Sequence, residues 1–271
     1  MQPGPARAGG CARRATRREE EARLSCAVFL NGEYDDEDFY LRQFAAAQVV
    51  VAADGGHRFL RRHGLWPALL VGDFDSLDAA LVAEARAAGV EVVEHPVRKD
   101  ETDGELAVAQ AAARWPDEIV LLGALGGALD HILGHVCILR GLAARGRAGR
   151  IASRGLAATV VQAPATLRLS AAVGTRVSLV ALSSGVVLTL RGLEYALHGE
   201  SLPADVCRGL SNRVAVAGAR IELSGGQLLA MVFDGTETFS PATPAPGPVA
   251  GPAPDPVTGS PPPGSAAAGR T

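Results

Sequence analysis

Lysine is almost missing from this chain: of 26 basic side chains only Lys99 is a lysine, and all the others are arginine. Aromatic residues are also scarce at 4%, so a core has to be built from Ala, Val and Leu. With 271 residues and 48% hydrophobic content, such a core needs no staples and suits one large domain or two moderate ones. There is no basic stripe and the formal charge is −3, which removes the electrostatic footprint of a nucleic-acid binder and favours a small-molecule partner. No window approaches the roughly 18 uninterrupted apolar residues of a membrane span. Cys11, Cys26, Cys137 and Cys207 lie far apart with no CxxC pair, which argues against a disulfide frame or zinc site and for reduced thiols in the cytoplasm.

The ends differ from the middle. Residues 1–18 carry five arginines, no acid and no apolar h-region of a secretory signal. Residues 1–24 are expected to be a disordered extension, with an organelle transit peptide as the alternative. Residues 235–271 are rich in Pro, Ala and Gly, bury almost nothing and read as a flexible tail.

Between the ends, short apolar runs at Ser25 to Leu30, Gln48 to Ala53, Ala68 to Val71, Val90 to Glu94 and Glu118 to Leu122 read as buried strands. Helical patterns near Glu37 to Ala46, Leu77 to Ala88, Gly104 to Arg114 and Ile132 to Ala144 separate them. This alternation predicts an α/β domain over 25–150, a mostly parallel sheet flanked by helices. Over 151–234 the helical period fades. Val-, Leu- and Thr-rich segments at 159–162, 166–169, 175–182, 186–190, 214–216, 220–223 and 227–232 predict an all-β sandwich. In a parallel sheet the ligand lies beyond the carboxyl ends of the strands, where Asp54-Gly55-Gly56, Asp73 and the Gly123 to Gly127 loop all fall.

Two acidic strings carry the chemistry. Gly72-Asp73-Phe74-Asp75-Ser76 ends a strand, and Lys99-Asp100-Glu101-Thr102-Asp103 opens a helix. If the chain stays extended, Asp73 and Asp75 point to the same side and can share a cation. The alternative is a turn in which Asp75 or Ser76 caps the helix beginning near Leu77. Thr102 and Glu105 have the form of a capping box and are explained by it. Asp100 and Asp103 are left beside Lys99, a compact ammonium suited to phosphate. Gly123, Gly126 and Gly127 let backbone N–H groups approach an anion. Asp130 and His131 at the next helix start serve equally well as a cap and a surface histidine.

Taken in order, Asp54-Gly55-Gly56, Gly72-Asp73-Phe74-Asp75-Ser76, Lys99-Asp100-Glu101-Thr102-Asp103 and Gly123-x-x-Gly126-Gly127-x-x-Asp130-His131 resemble the motif series of the thiamine pyrophosphokinase family. Gly192-Leu193-Glu194-Tyr195-Ala196-Leu197 and Ser211-Asn212 extend the likeness into the β-rich half. The resemblance implies transfer of a pyrophosphoryl group from ATP to thiamine by a homodimer. It also implies Mg²⁺ on Asp73, Asp75 and Asp103, with Lys99 and Asp100 completing the catalytic set. Asp54, Gly55, Gly56, Thr102, the glycine loop, Asp130 and His131 would then hold nucleotide, and Ser211 and Asn212 thiamine. The family usually has arginine where this chain has Ala128, with Arg98 a nearby substitute. Two further readings stay open: a phosphatase of haloacid dehalogenase type, because Asp73-Phe74-Asp75-Ser76 also looks like that nucleophile motif, and a non-catalytic nucleotide- or thiamine-binding protein.

Overall fold

A computed structural model describes residues 25–75, 77–115 and 118–233 and the backbone of residues 239–240. Ser76, Cys11, the N-terminal extension and nearly all of the C-terminal tail lie outside the described residues. The first half runs β1 (Cys26–Phe29), α1 (Glu37–Ala46), β2 (Val49–Ala53), α2 (Gly56–Arg62), β3 (Leu69–Gly72), α3 (Ala79–Ala87), β4 (Glu91–Glu94), α4 (Asp103–Arg114), β5 (Ile119–Leu122), α5 (Leu129–Ala144) and β6 (Gly149–Ser153). The second half holds β7 (Leu156–Gln162), β8 (Ala165–Leu169), β9 (Arg176–Ala181), β10 (Val187–Arg191), β11 (Leu197–Ser201), β12 (Asn212–Arg213), β13 (Arg220–Gly225), β14 (Gln227–Phe233) and β15 (Phe239–Ser240).

Strands β6, β5, β1, β2, β3 and β4 pair in parallel in that spatial order, and β7, β14, β9 and β12 continue the same sheet antiparallel. A second, antiparallel sheet of β11, β10, β13, β8 and β15 packs on the antiparallel end. The mostly parallel sheet with flanking helices, followed by a β-sandwich, is therefore present, and one ten-stranded sheet runs through both halves.

The period-2 alternation of the strands sorts their side chains onto two faces. Cys26 and Val28 of β1, with Ile119 and Leu121 of β5, meet Ala107, Val108 and Ala111 of α4 and Leu139 and Leu142 of α5. Ala27, Phe29, Val120 and Leu122 face the other way, onto Tyr40 of α1, Phe59 and Leu60 of α2 and Val82 and Ala85 of α3. Both faces are thus covered, as buried parallel strands require. Most of the few aromatic residues are gathered on the second face: Tyr34 stacks on Phe59 with ring centroids 4.1 Å apart, and Phe29 and Tyr40 join them.

Three expectations change. The sequence pattern places no helix between β2 and β3, yet α2 forms there, and Gly56 at its start has a packing role: a Cβ on it would lie 2.1 Å from the Phe29 carbonyl oxygen. The expected strand at 214–216 is a single bridge from Val214 to Leu193, and the ladder to β9 forms instead at Asn212–Arg213. α3 begins at Ala79, capped by Asp78 Oδ1 on the Ala80 N–H, so neither Asp75 nor a start at Leu77 supplies the cap.

His57 on α2 is fully enclosed. Burial, and then the Arg61 charge, hold its pKa below the ordinary 6.5; the Leu81 backbone and Glu84 oppose this only in part. A folded value below the unfolded one means that the stabilisation is complete above pH 6.5 and is lost as pH falls through the folded value. His135 is shifted in the same direction, by burial first. Thermal midpoints measured between pH 7 and pH 5 are expected to fall for the wild-type protein and to fall less for His57→Leu.

Candidate active site

In the spatial order of the parallel strands, β1 lies between β5 and β2, so the chain leaves its carboxyl end in one direction and returns beyond β5 on the other side. This is a topological switch point, where a crevice opens beyond the strand ends. The loops bordering it are interlocked. A Cβ on Gly32 would lie 2.1 Å from the Gly123 carbonyl oxygen, and one on Gly55 would lie 1.9 Å from Asn31 Oδ1. The Asp54 N–H donates to the Val71 carbonyl at 2.9 Å and the His95 N–H to the Gly72 carbonyl at 2.9 Å, extending the ladder into the loops.

Lys99 links the two acidic strings. Its Nζ lies 2.5 Å from Asp73 Oδ2 and 3.0 Å from Asp103 Oδ1, with side-chain exposures of 11%, 9% and 24% for Lys99, Asp73 and Asp103. The hydrogen bond from Lys99 holds the Asp73 carboxyl below the usual carboxylate range, helped by the Asp75 N–H at 3.2 Å from Asp73 Oδ1. Burial works against the Lys99 charge, but hydrogen bonds to Asp73 and Asp103 outweigh it and raise the ammonium pKa. Asp103 is in position because Thr102 caps α4: its hydroxyl accepts from the Glu105 N–H at 3.1 Å, and Glu105 Oε2 accepts from the Thr102 N–H at 2.9 Å.

The chain between Asp73 and Asp75 does not stay extended. Phe74 has φ +58°, in the left-handed region, so the same-side placement expected for an extended chain does not arise and Asp75 faces solvent. Among the described residues no three His, Cys, Asp or Glu side chains are assembled as a metal-binding group. Two carboxylates, Asp73 and Asp103, converge, with an ammonium between them. Asp100 is exposed one residue beyond Lys99. Asp54 is buried beside Gly72, whose added Cβ would lie 3.2 Å from Asp54 Cβ.

Gly123, Gly126 and Gly127 all have positive φ, and Gly127 is exposed. Ala128 is the uncapped start of α5. Asp130 Oδ1 accepts from the His131 N–H at 2.8 Å, and both residues are exposed. Sequence reasoning missed His135, whose Nδ1 lies 2.7 Å from the Ala124 carbonyl oxygen and so donates its proton into the glycine loop. Its spacing of four from His131 on one helix was the available signal.

In the β-rich half, Asn212 is 5% exposed. Its Oδ1 accepts from the Tyr195 and Arg213 N–H groups at 3.0 and 2.8 Å, and its Nδ2 donates to the Tyr195 carbonyl at 2.9 Å. Ser211 precedes it at φ +60°. A cavity of about 430 Å³ opens here, with Leu179, Leu188 and Leu190 as its apolar wall and Tyr195, Arg208 and Asn212 contributing polar atoms. Asn212→Ala removes three hydrogen bonds and is expected to destabilise the protein by about 2–3 kcal/mol in denaturant titration. Asp54, Phe74 and Ser211 are the only non-glycine residues of positive φ among those described, and each lies in a motif of the site. Strain of this kind costs roughly 1–3 kcal/mol per residue and persists where surroundings enforce it.

Residues 40–147 match the family described as thiamin pyrophosphokinase, catalytic domain. Residues 40–147 are thus similar to a thiamin pyrophosphokinase catalytic domain. Thiamine pyrophosphokinase of Bacillus subtilis (strain 168) is 33% identical over 89 residues, covering 33% of this chain and 42% of that protein. The crystal structure of thiamin pyrophosphokinase from Geobacillus thermodenitrificans is 28% identical, with a TM-score of 0.67 over 78% of this chain and 98% of that one. The Bacillus subtilis structure, at 22% identity, shares the fold with a TM-score of 0.66 over 77% of this chain and 98% of that one. The 40–147 match contains Asp54, Asp73, Lys99, Asp103 and the glycine loop, so the stretch similar to that family overlaps the crevice. No helix among the described residues is long and apolar enough to cross a membrane.

Proposed function

We propose that this protein is a cytoplasmic thiamine diphosphokinase that moves a pyrophosphoryl group from ATP to the hydroxyl of thiamine, releasing AMP. The observation that carries the reading is the bridge Asp73–Lys99–Asp103 at a sheet edge, inside a stretch matching a thiamin pyrophosphokinase catalytic domain. Mg²⁺ fits this donor set, because it takes hard oxygen ligands and commonly binds through one or two carboxylates plus substrate phosphates. Asp73 and Asp103 would hold it, with Asp75 as the third candidate. The bound ion would supply charge neutralisation of the transferring group.

The chain's own residues do the rest. Lys99, freed from its carboxylates, places a compact positive charge on the phosphates. Asp100, exposed beside it, orients or deprotonates the attacking hydroxyl. The N–H groups of the glycine loop, together with Asp54, position the nucleotide, and Asp130 and His131 support it. Thiamine lies near Ser211 and Asn212, where the cavity has a volume suited to a small organic ligand. A homodimer would bring that surface of one subunit to the crevice of its partner.

Incubation with Mg²⁺, ATP and thiamine, followed by mass spectrometry, tests the reading. The expected products are AMP and thiamine diphosphate in equal amounts. Free inorganic phosphate would indicate a phosphatase, and binding without turnover a sensor.

A further inference from the structure

Glu33 lies just past β1 and belongs to no motif, yet it is tied to the glycine loop twice. Its N–H donates to the Leu125 carbonyl at 3.1 Å, and its Oε1 accepts from the Gly127 N–H at 3.1 Å. Gly126 makes room for this: at φ +81°, a Cβ there would lie 2.5 Å from Glu33 Cδ. A carboxylate therefore already occupies an N–H donor of the loop read above as holding nucleotide phosphate. Ala128, next in the chain, supplies no compensating cation.

We propose that Glu33 is a positioning residue that acts as the resident anion of the glycine loop and limits nucleotide affinity. This rests on the nucleotide-site reading above. In the free protein its carboxylate holds the Gly127 N–H in the direction from which a phosphate approaches. When nucleotide binds, the phosphate takes that donor and the displaced carboxylate remains nearby as an opposing charge. One unit charge about 4 Å away in water opposes another by an amount corresponding to roughly fivefold in affinity.

The test is calorimetric titration of Mg·ATP, without acceptor, into the full chain and its Glu33→Gln and Glu33→Ala variants at low and high salt. Glu33→Gln keeps the size and the acceptor oxygen but loses the charge, so it is expected to bind about fivefold tighter at low salt, with the gap narrowing at high salt. Glu33→Ala is expected to tighten less, because the loop loses its strut as well as the charge. Wild-type binding with no tightening in Glu33→Gln, or a gap insensitive to salt, overturns the role of Glu33 and leaves the nucleotide site standing. Failure of the wild-type protein to bind Mg·ATP overturns both.

Discussion

Asp73→Asn is expected to lower AMP formation by about a thousandfold or more while moving the thermal midpoint by only a few degrees. The two effects separate because the carboxylate has two tasks. Structurally its Oδ2 accepts from Lys99 Nζ and its Oδ1 from the Asp75 N–H, and an asparagine oxygen keeps one of the two. Lys99 also keeps Asp103 as a partner at 3.0 Å. Chemically, a neutral amide is a poor ligand for a hard dication and removes one of the two carboxylates that converge here. Steady-state AMP release and differential scanning calorimetry on the same preparation read both effects. Near-normal turnover in Asp73→Asn would remove the metal assignment.

Lys99→Met is expected to cut turnover by about a hundredfold or more and to destabilise the protein by about 2–3 kcal/mol at pH 7. Without the ammonium, Asp73 and Asp103 face one another with no cation between them. One of the pair then resists ionisation, so the variant is expected to regain stability as pH is lowered toward the carboxylate range, whereas wild-type Asp73, held ionised by Lys99, gives the opposite trend. For wild type the sign follows from a folded carboxyl value below the unfolded 3.8: the stabilisation is present above 3.8 and is lost as pH falls through the folded value. Added Mg²⁺ is expected to raise the melting temperature of Lys99→Met more than that of wild type, because the ion refills the place of the lost charge. Thermal shift with and without Mg²⁺, at pH 7, pH 4.5 and about pH 3, measures all of this.

The parts of the fold visible in the sequence were those with strong local patterns. β1, β2, β3 and β5 are short, nearly continuous apolar runs, and α1 and α4 carry caps or amphipathic spacing, so their positions emerged within a residue or two. What escaped was set by contacts distant in sequence. β6, which starts at Gly149 and Arg150, is not among the strands the pattern marks, but Arg150 pairs with Glu118 at 3.2 Å and the strand becomes the parallel neighbour of β5. α2 begins on glycines chosen for close approach to β1 rather than for helix propensity.

The site shows the same division. The Asp73–Lys99–Asp103 convergence joins residues from two loops, and only the order of the motifs along the chain points to it. The Thr102–Glu105 capping box, a local signal, forms as read. The turn at Phe74 was invisible, since nothing in the sequence marks a phenylalanine for positive φ, and it sends Asp75 to solvent. Glu33 and His135 brace the glycine loop across 94 and 11 residues respectively. No local pattern announces the first of these.

The most direct test of the converging carboxylates is anomalous diffraction from crystals grown with Mn²⁺ and a non-hydrolysable ATP analogue. The expected result is a single Mn²⁺ peak coordinated by Asp73 and Asp103, with Lys99 Nζ moved from between them onto a phosphate oxygen. A nucleotide bound with Lys99 still bridging the two carboxylates, and the metal elsewhere, would contradict it.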